Sequence, residues 1–196
     1  MVHKLVFATH NENKLKEVRE MLKDTGLTVV SAGELNLPDV EETGETFKDN
    51  ALLKAYAAYR ATGLPALAED SGLCIRALNG EPGIYSARYA KKHGGFPAVF
   101  DYISAQIGDN PDRSIYYQAT MALIFDETDV HVFDGVLEGT WAAAPQGSEG
   151  FGYDPMFIPE GYNKTLGELG AEVKNGISHR ARALKKVYDY LMSLKR

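Results

Sequence analysis

The chain has 196 residues, a length that suits one domain or two small lobes with a shared core. Hydrophobic residues make up 44% of the chain and charged residues 24%, so a largely disordered chain is excluded. The net charge of −6 argues against broad nucleic acid binding, which needs many lysines and arginines to neutralise phosphates.

Hydrophobic periodicity predicts alternating strands and helices in the first half of the chain. Gly26 and Gly63 follow helical patterns and are expected to end them. The turn-forming triplet at 70–72 is expected to break a strand in two. The predicted elements are, in order, strand 4–8, helix 13–24, strand 27–31, helix 46–61, strands 66–69 and 73–78, and helix 96–107.

The clearest strand signal is the apolar residue at every second position from Ile115 to Phe125. A polar turn follows, and residues 130–138 return as the second strand of a hairpin. Residues 144–155 are rich in Gly and Pro and are expected to lack regular structure, while Ser178 is expected to cap a C-terminal helix. A hairpin after a strand–helix–strand start predicts the α/β class with a mixed sheet.

Cysteine content and hydropathy bear on the compartment. Cys74 is the only cysteine, so an internal disulfide framework is excluded and a reducing compartment, the cytoplasm, is expected. The longest apolar run near the start, residues 5–8, is too short for a secretion signal or a membrane span. We therefore expect a soluble protein that works neither on a membrane nor on a nucleic acid polymer.

The segment from Thr9 to Lys14 lies where the first strand ends and the first helix begins. Helix N-termini present unpaired N–H groups and partial positive charge, and they bind phosphate well. Thr9 and Asn11 could add donors there, and Lys14 an ammonium group. The alternative is that a polar residue of this segment only caps the helix.

Two acidic segments form a second candidate feature. Glu41 and Glu42 are adjacent, and Asp70 follows a predicted strand and precedes Ser71 and Gly72. Ligands gather at the carboxyl ends of strands in α/β folds, and Mg²⁺ takes a few carboxylates together with phosphate oxygens. The alternative is an ordinary turn at 70–72.

Two segments near the C-terminus combine aromatic and cationic residues. In the first, 150–155, Phe151 offers a face on which a base could stack, and Asp154 could meet the base edge. In the second, 174–180, cationic and titratable side chains surround a helix start, where the helix dipole disfavours them unless a ligand compensates. The alternatives are a structural turn and solvated side chains.

Taken together and in order, the segments THNENK, EETGETF, AEDSGL, GIYSARYA, GFGYDPMF and ISHRARAL resemble one family. It is the inosine triphosphate (ITP/dITP/XTP) pyrophosphatase family, the RdgB-type non-standard purine nucleotide hydrolases, and the similarity runs from about Lys4 to Leu194. The resemblance implies one domain over 1–196, with an elongated twisted mixed sheet and flanking helices that form two lobes around a central cleft. It also implies a homodimer that uses Mg²⁺ to hydrolyse ITP, dITP and XTP to monophosphate and pyrophosphate.

The resemblance also assigns residues. Asp70 is implied as the proton acceptor and, with Glu41 and Glu42, as a metal ligand. The residues implied for substrate binding are Thr9, His10, Asn11, Glu12, Asn13, Lys14, Lys54, Ser71, Phe151, Gly152, Tyr153, Asp154, Lys174, His179 and Arg180. One position departs from the family, because His10 stands where many members have glycine.

Three other functions compete with this interpretation. A related Maf-like pyrophosphatase would prefer modified pyrimidine or standard triphosphates. A nucleotide-binding module would use the same carboxylates without turnover, and a phosphomonoesterase would release orthophosphate. Substrate preference and product identity separate all three from an ITP pyrophosphatase.

Overall fold

The computed structural model describes residues 3–195. The strands are β1 Lys4–Phe7, β2 Thr28–Ser31, β3 Ala66–Ile75, β4 Ser114–Ile124, β5 Val130–Trp141 and β6 Phe157–Pro159. The helices are α1 Glu12–Leu22, α2 Phe47–Thr62, α3 Ser86–Lys92, α4 Ala98–Ile107, α5 Leu166–Ile177 and α6 His179–Ser193. Within the stretch from residue 3 to residue 195, no helix combines the length and the apolar character needed to cross a bilayer.

The strands form one sheet in the order β2-β1-β3-β4-β5-β6. β1 runs parallel to both β2 and β3, with Val6 opposite Val30 on one side and Ala66 on the other. β5 and β6 are antiparallel. The sheet is therefore mixed, and the predicted α/β class is confirmed.

The described residues divide into two compact units, each built from separate stretches of chain. The first unit comprises the residues up to Asp70, Ala119–Gly135 and the residues from Arg182 onward. The second comprises Ser71–Gln118 and Val136–Ala181. Because β3, β4 and β5 each contribute residues to both units, neither unit corresponds to a continuous segment.

The first unit is organised around β1 and the helix that follows it. β1 is apolar and fully buried at its last three positions, and α1 buries one stripe of side chains at helical spacing. A capping box between Thr46 and Asp49 starts α2. Gly26 and Gly63 both adopt a left-handed conformation, with φ of 68° and 66°, which confirms them as helix stops.

In the second unit, α4 packs against the parts of β3, β4 and β5 that belong to this unit. α4 buries Val99, Phe100, Ile103 and Ile107, the face that its periodicity predicts. These side chains share a core with residues of β3, β4, β5 and β6, among them the fully buried Trp141. This core therefore holds the second-unit parts of the strands and the loop after β5 against α4.

The predicted strand break at Asp70-Ser71-Gly72 is wrong, because β3 runs without interruption through these residues. Turn-forming residue types occur here for a packing reason. A Cβ atom on Gly72 would lie 2.1 Å from the carbonyl oxygen of Gly83, so only glycine allows the two backbones to approach. Asp70 and Ser71 consequently face opposite sides of a strand.

The C-terminal helix begins where the sequence predicts. The Ser178 hydroxyl accepts a hydrogen bond from the amide of Ala181 at 3.1 Å, as an N-cap residue does. Lys174, which the sequence placed around that helix start, instead lies in the last turn of α5. A cation at a helix C-terminus interacts favourably with the helix dipole, so the unfavourable interaction inferred from the sequence does not arise for Lys174. It does apply to His179 and Arg180, which lie in the first turn of α6.

Candidate functional site

The turn between β1 and α1 is built around Asn11. Its side-chain oxygen accepts hydrogen bonds from the amides of Asn13 and Lys14, at 3.0 and 3.1 Å, so Asn11 is the N-cap of α1. The Thr9 hydroxyl in turn accepts from the amide of Asn11 at 3.1 Å. These bonds give the turn a fixed shape in which the first amides of α1 are already ordered.

This turn borders a cavity of about 520 Å³ within the first unit. The lining includes small and apolar side chains such as Ala57, Ala58 and Leu37. The polar residues on the lining are Thr9, His10, Asn11, Lys14, Asp39, Glu42, Lys54 and Glu69. Glu12 and Asn13 are exposed and lie outside this lining, in contrast to their neighbours in the motif.

A lysine–carboxylate cluster, defined by Glu42, Asn50, Lys54 and Asp70, joins three segments, and its members Glu42 and Lys54 line the cavity. The Lys54 ammonium donates to Glu42 Oε1 at 2.6 Å and lies 3.7 Å from Asp70 Oδ1. Asp70 is only 5% exposed, and its other oxygen accepts from the Asn50 amide at 3.0 Å. The arrangement holds a buried carboxylate with one oxygen bound by an amide and the other facing a cation.

Asn50 is a member of this cluster that the sequence reasoning missed. It is fully buried, and its side-chain oxygen accepts from the amide of Gly44 at 2.8 Å while its nitrogen donates to Asp70. Asn50 stands four residues before Lys54 in α2, so both side chains lie on one helix face. That spacing is the signal in the sequence that could have identified Asn50.

The two adjacent glutamates differ in position. Glu42 is half-buried and reaches both Lys54 and the cavity, whereas Glu41 is exposed and lies outside the cavity lining. Nowhere in residues 3–195 do three His, Cys, Asp or Glu side chains come close enough to hold a metal ion by themselves. Glu42 and Asp70 nevertheless fit Mg²⁺, which is bound in proteins by one or two carboxylates with phosphate and water oxygens as the remaining ligands.

His10 turns its ring toward the segment 37–39. Nε2 lies 2.9 Å from the carbonyl oxygen of Leu37, and Nδ1 lies 2.8 Å from an oxygen of Asp39. Both partners are hydrogen-bond acceptors, and an N–H group of the ring can donate to them. The ring nitrogens of His10 therefore bind the protein, and the side chain ties the first motif to the neighbouring cavity wall.

In the second unit, an aspartate–lysine cluster comprises Phe151, Asp154 and Lys174. Asp154 Oδ2 accepts from the amide of Phe151 at 2.9 Å and also from the Lys174 ammonium. The same ammonium lies 4.1 Å from the centre of the Phe151 ring, which is 54% exposed. The cluster therefore presents a flat aromatic face beside a fixed cation.

Asp154 does not occupy the position that the sequence suggested. It is 1% exposed, and both of its oxygens accept from protein groups, because Oδ1 accepts from the Tyr117 hydroxyl at 3.2 Å. A carboxylate buried in this way orients Lys174 and Phe151 and does not itself meet the edge of a base. Gly150, with φ of 77°, leaves room for it, since a Cβ there would lie 2.1 Å from Asp154 Oδ2.

The remaining predicted residues lie at the start of α6, between β5 and β6, and in β3. His179 and Arg180 are buried and are the first residues of α6, and the His179 ring stacks on Tyr117 with the ring centres 4.7 Å apart. Gly152 has φ of 67°, and the Tyr153 hydroxyl donates to the carbonyl oxygen of Ser86 at 2.8 Å. Ser71 is half-buried in β3.

Comparison with known proteins identifies the group to which the chain is related. The model of the Ham1 family matches residues 5–190, nearly the whole chain. This chain belongs to the Ham1 family. The match includes both clusters described above and every residue predicted to bind substrate or metal.

Ham1 relatives resemble the chain along their full length. A dITP/XTP pyrophosphatase of Streptomyces coelicolor is 47% identical over 97% of this chain and 98% of its own. One of Gluconobacter oxydans is 45% identical over 92% of this chain and 87% of its own. The solved structure of the Staphylococcus aureus Ham1 protein has a TM-score of 0.89 at 36% identity, covering 97% of this chain and 98% of that one. A Coxiella burnetii HAM1 protein gives 0.88 at 40% identity, covering 98% and 100%.

Proposed function

We propose that this chain hydrolyses non-standard purine nucleoside triphosphates, namely ITP, dITP and XTP, to the nucleoside monophosphate and pyrophosphate. The observation that carries the proposal is the lysine–carboxylate cluster, in which Lys54 faces both Glu42 and the buried Asp70, and Glu42 and Lys54 line the cavity. Membership of the Ham1 family and the dITP/XTP pyrophosphatase relatives support the same substrates.

The first unit supplies the groups for the phosphates. A triphosphate carries about four negative charges near neutral pH, and an acidic protein must offset them locally. Lys14 and Lys54 are cations that line the cavity, and the ordered amides at the start of α1 are donors beside it. We propose that Thr9, Asn11, Lys14 and Lys54 bind the triphosphate and orient it for attack.

Asp70 has the environment of a proton acceptor. The Asn50 side chain donates to one oxygen of its carboxylate, and the other oxygen lies 3.7 Å from the Lys54 ammonium. We propose that this second oxygen takes the proton of a water molecule as that water attacks a phosphorus of the α–β bridge, and that pyrophosphate leaves. Glu42 and Asp70 would hold Mg²⁺, which supplies charge neutralisation to the phosphates when bound.

The second unit supplies the groups for the base. Inosine and xanthosine present an oxygen at position 6, whereas adenosine presents an amino donor there. Cationic donors such as Lys174 and Arg180 would therefore favour the oxo purines and reject adenine, while Phe151 stacks on the ring. We propose that Phe151, Lys174, His179 and Arg180 recognise the base, with Asp154 orienting Lys174.

We further propose that residues 1–196 work as a single domain and that the enzyme is a cytoplasmic homodimer. The course of β3, β4 and β5 supports the first point, because each of these strands has residues in both units. The resemblance to the ITP pyrophosphatases supports the second. Free nucleotide, rather than a nucleic acid polymer or a membrane, is the proposed partner.

The decisive experiment is a set of steady-state kinetics over ITP, dITP, XTP, GTP, ATP and UTP, with products resolved by anion-exchange chromatography. We expect the highest kcat/KM for ITP, dITP and XTP, pyrophosphate as product, and loss of activity when EDTA removes Mg²⁺. Preference for UTP would favour the Maf-like alternative, and release of orthophosphate would favour a phosphomonoesterase. Tight binding without turnover would indicate a binding module.

The Asp70→Asn variant tests the proton acceptor. The substitution keeps the shape of the side chain and its bond to Asn50 but removes the base, so kcat should fall by about 10²–10⁴-fold. The melting temperature should stay close to that of the unmodified protein. Near-normal kcat in a folded Asp70→Asn protein would disprove the assignment.

A further inference from the structure

Tyr117, a residue of β4, contacts both His179, a proposed base-recognition residue, and Asp154, which is proposed to orient Lys174. It is 7% exposed, and its ring lies between two others: Phe157, with ring centres 4.5 Å apart and planes 8° apart, and His179, at 4.7 Å and 19°. Its hydroxyl donates to Asp154 Oδ1 at 3.2 Å. One buried side chain therefore links the loop that carries Asp154 to the start of α6.

Tyr117 contacts Asp154 through its hydroxyl and His179 through its ring face. The hydroxyl fixes one oxygen of Asp154, while the other oxygen accepts from Lys174 and from the amide of Phe151. The ring face fixes the plane of the His179 imidazole. Without the hydroxyl, the Asp154 carboxylate can rotate, and with it the cation that lies over Phe151.

The protonation state of Tyr117 suits this role. Burial, together with the nearby Asp154 carboxylate, raises the pKa of Tyr117 well above its ordinary value of 10. The phenol therefore keeps its proton at working pH and remains a donor. A buried donor to an ionised carboxylate makes a stronger bond than one between neutral groups.

We propose that Tyr117 is a positioning residue for base selectivity, which holds Asp154 through its hydroxyl and His179 through its ring face. The inference rests on the proposed function, since it explains how a site for oxo purines keeps its shape before substrate arrives. A preorganised site favours the base that matches it, because no ordering is needed on binding. The effect of Tyr117 should therefore appear in selectivity and KM more than in kcat.

The test compares three variants by their ratio of kcat/KM for ITP over ATP. Tyr117→Phe keeps the ring and removes the donor, so we expect the ratio to fall by roughly tenfold, the effect of losing a hydrogen bond to a charged group. The fall should come from a higher KM for ITP, with kcat within about threefold of normal. Tyr117→Leu also removes the stacking surface and should lower the ratio further.

Tyr116→Phe is the matched control. Tyr116 is the neighbouring residue of the same strand and points to the opposite face, where it packs against Arg76. Removing its hydroxyl touches neither Asp154 nor His179, so the ratio should not change. An equal fall in Tyr116→Phe and Tyr117→Phe would show a general loss of stability and would overturn the proposal.

An NMR measurement gives a readout that is independent of turnover. The ring current of Tyr117 shifts the ring proton resonances of the stacked His179, and this shift should persist in Tyr117→Phe and disappear in Tyr117→Leu. If the unmodified enzyme has no preference for ITP over ATP, the proposed function fails. If it has that preference and Tyr117→Phe retains it in full, only the role of Tyr117 is disproved.

Discussion

Gly72→Ala tests the packing that keeps β3 straight beside Asp70. A Cβ atom at this position would lie 2.1 Å from the Gly83 carbonyl oxygen and 2.7 Å from the Ser86 hydroxyl. The hydroxyl cannot move aside freely, because it donates to that same carbonyl and accepts from the amide of Leu73. The added methyl group must therefore push two backbone segments apart.

The size of the effect follows from that overlap. Ordinary contact begins near 3.4 Å, so the backbones must separate by roughly 1 Å, and overpacking of this kind costs about 1–3 kcal/mol. The lower chain entropy of unfolded alanine offsets about 0.5–1 kcal/mol of this. We expect a net loss of about 1–2 kcal/mol, which lowers the melting temperature by roughly 2–8 °C for a chain of this size.

Thermal and urea unfolding, followed by circular dichroism, measure this loss. Gly176→Ala is the control, because a Cβ there meets nothing within 4 Å and alanine favours the helical conformation. The control should melt at or slightly above the temperature of the unmodified protein. If Gly72→Ala melts as high as Gly176→Ala, close approach of the backbones is not the reason for a glycine at this position.

Two further predictions concern the metal and alkaline pH. Glu42→Gln should raise the Mg²⁺ concentration for half-maximal activity by at least about tenfold, whereas Glu41→Gln should leave it unchanged, and equal shifts in a Mg²⁺ titration would contradict the assignment. The raised pKa of Tyr117 means that its contribution to stability is complete below pH 10, the ordinary value of an unfolded tyrosine, and is lost as pH rises further. Tyr117→Phe should therefore reduce the decline of the unfolding free energy by about 1 kcal/mol between pH 10 and 11, measured by urea unfolding, and an unchanged decline would refute this.

The sequence predicted the elements whose signals are local. Gly26 after the 3₁₀ turn that follows α1, Gly63 at the end of α2, the capping serine before α6 and the buried face of α4 all depend on residues within one or two turns of each other. α5 was missed because it contains several glycines, with Gly170 in a non-helical conformation, and glycine has a low helix propensity. A local signal was nevertheless present, because Thr165 and Glu168 form a capping box at its start.

The candidate site shows the same division between local and distant information. The pattern at a predicted strand end drew attention to Asp70 and the resemblance to Lys54, but Asn50 carries no functional signal except its spacing from Lys54. Tyr117 looked like one more apolar position of an alternating strand. Its contact with Asp154 and His179 joins residues 37 and 62 positions away, which no local pattern can reveal.

The lysines of both units share one arrangement that explains how an acidic chain can bind a polyanion. Lys14 pairs with Glu69, Lys54 with Glu42 and Asp70, and Lys174 with Asp154, and in each pair one carboxylate is almost fully buried. An ammonium group has three donors, of which such carboxylates use one or two. The buried partner therefore orients the lysine in advance and leaves a donor for the ligand, so less side-chain entropy is lost on binding. Local cation placement of this kind, rather than net charge, determines where phosphate and an oxo purine can bind.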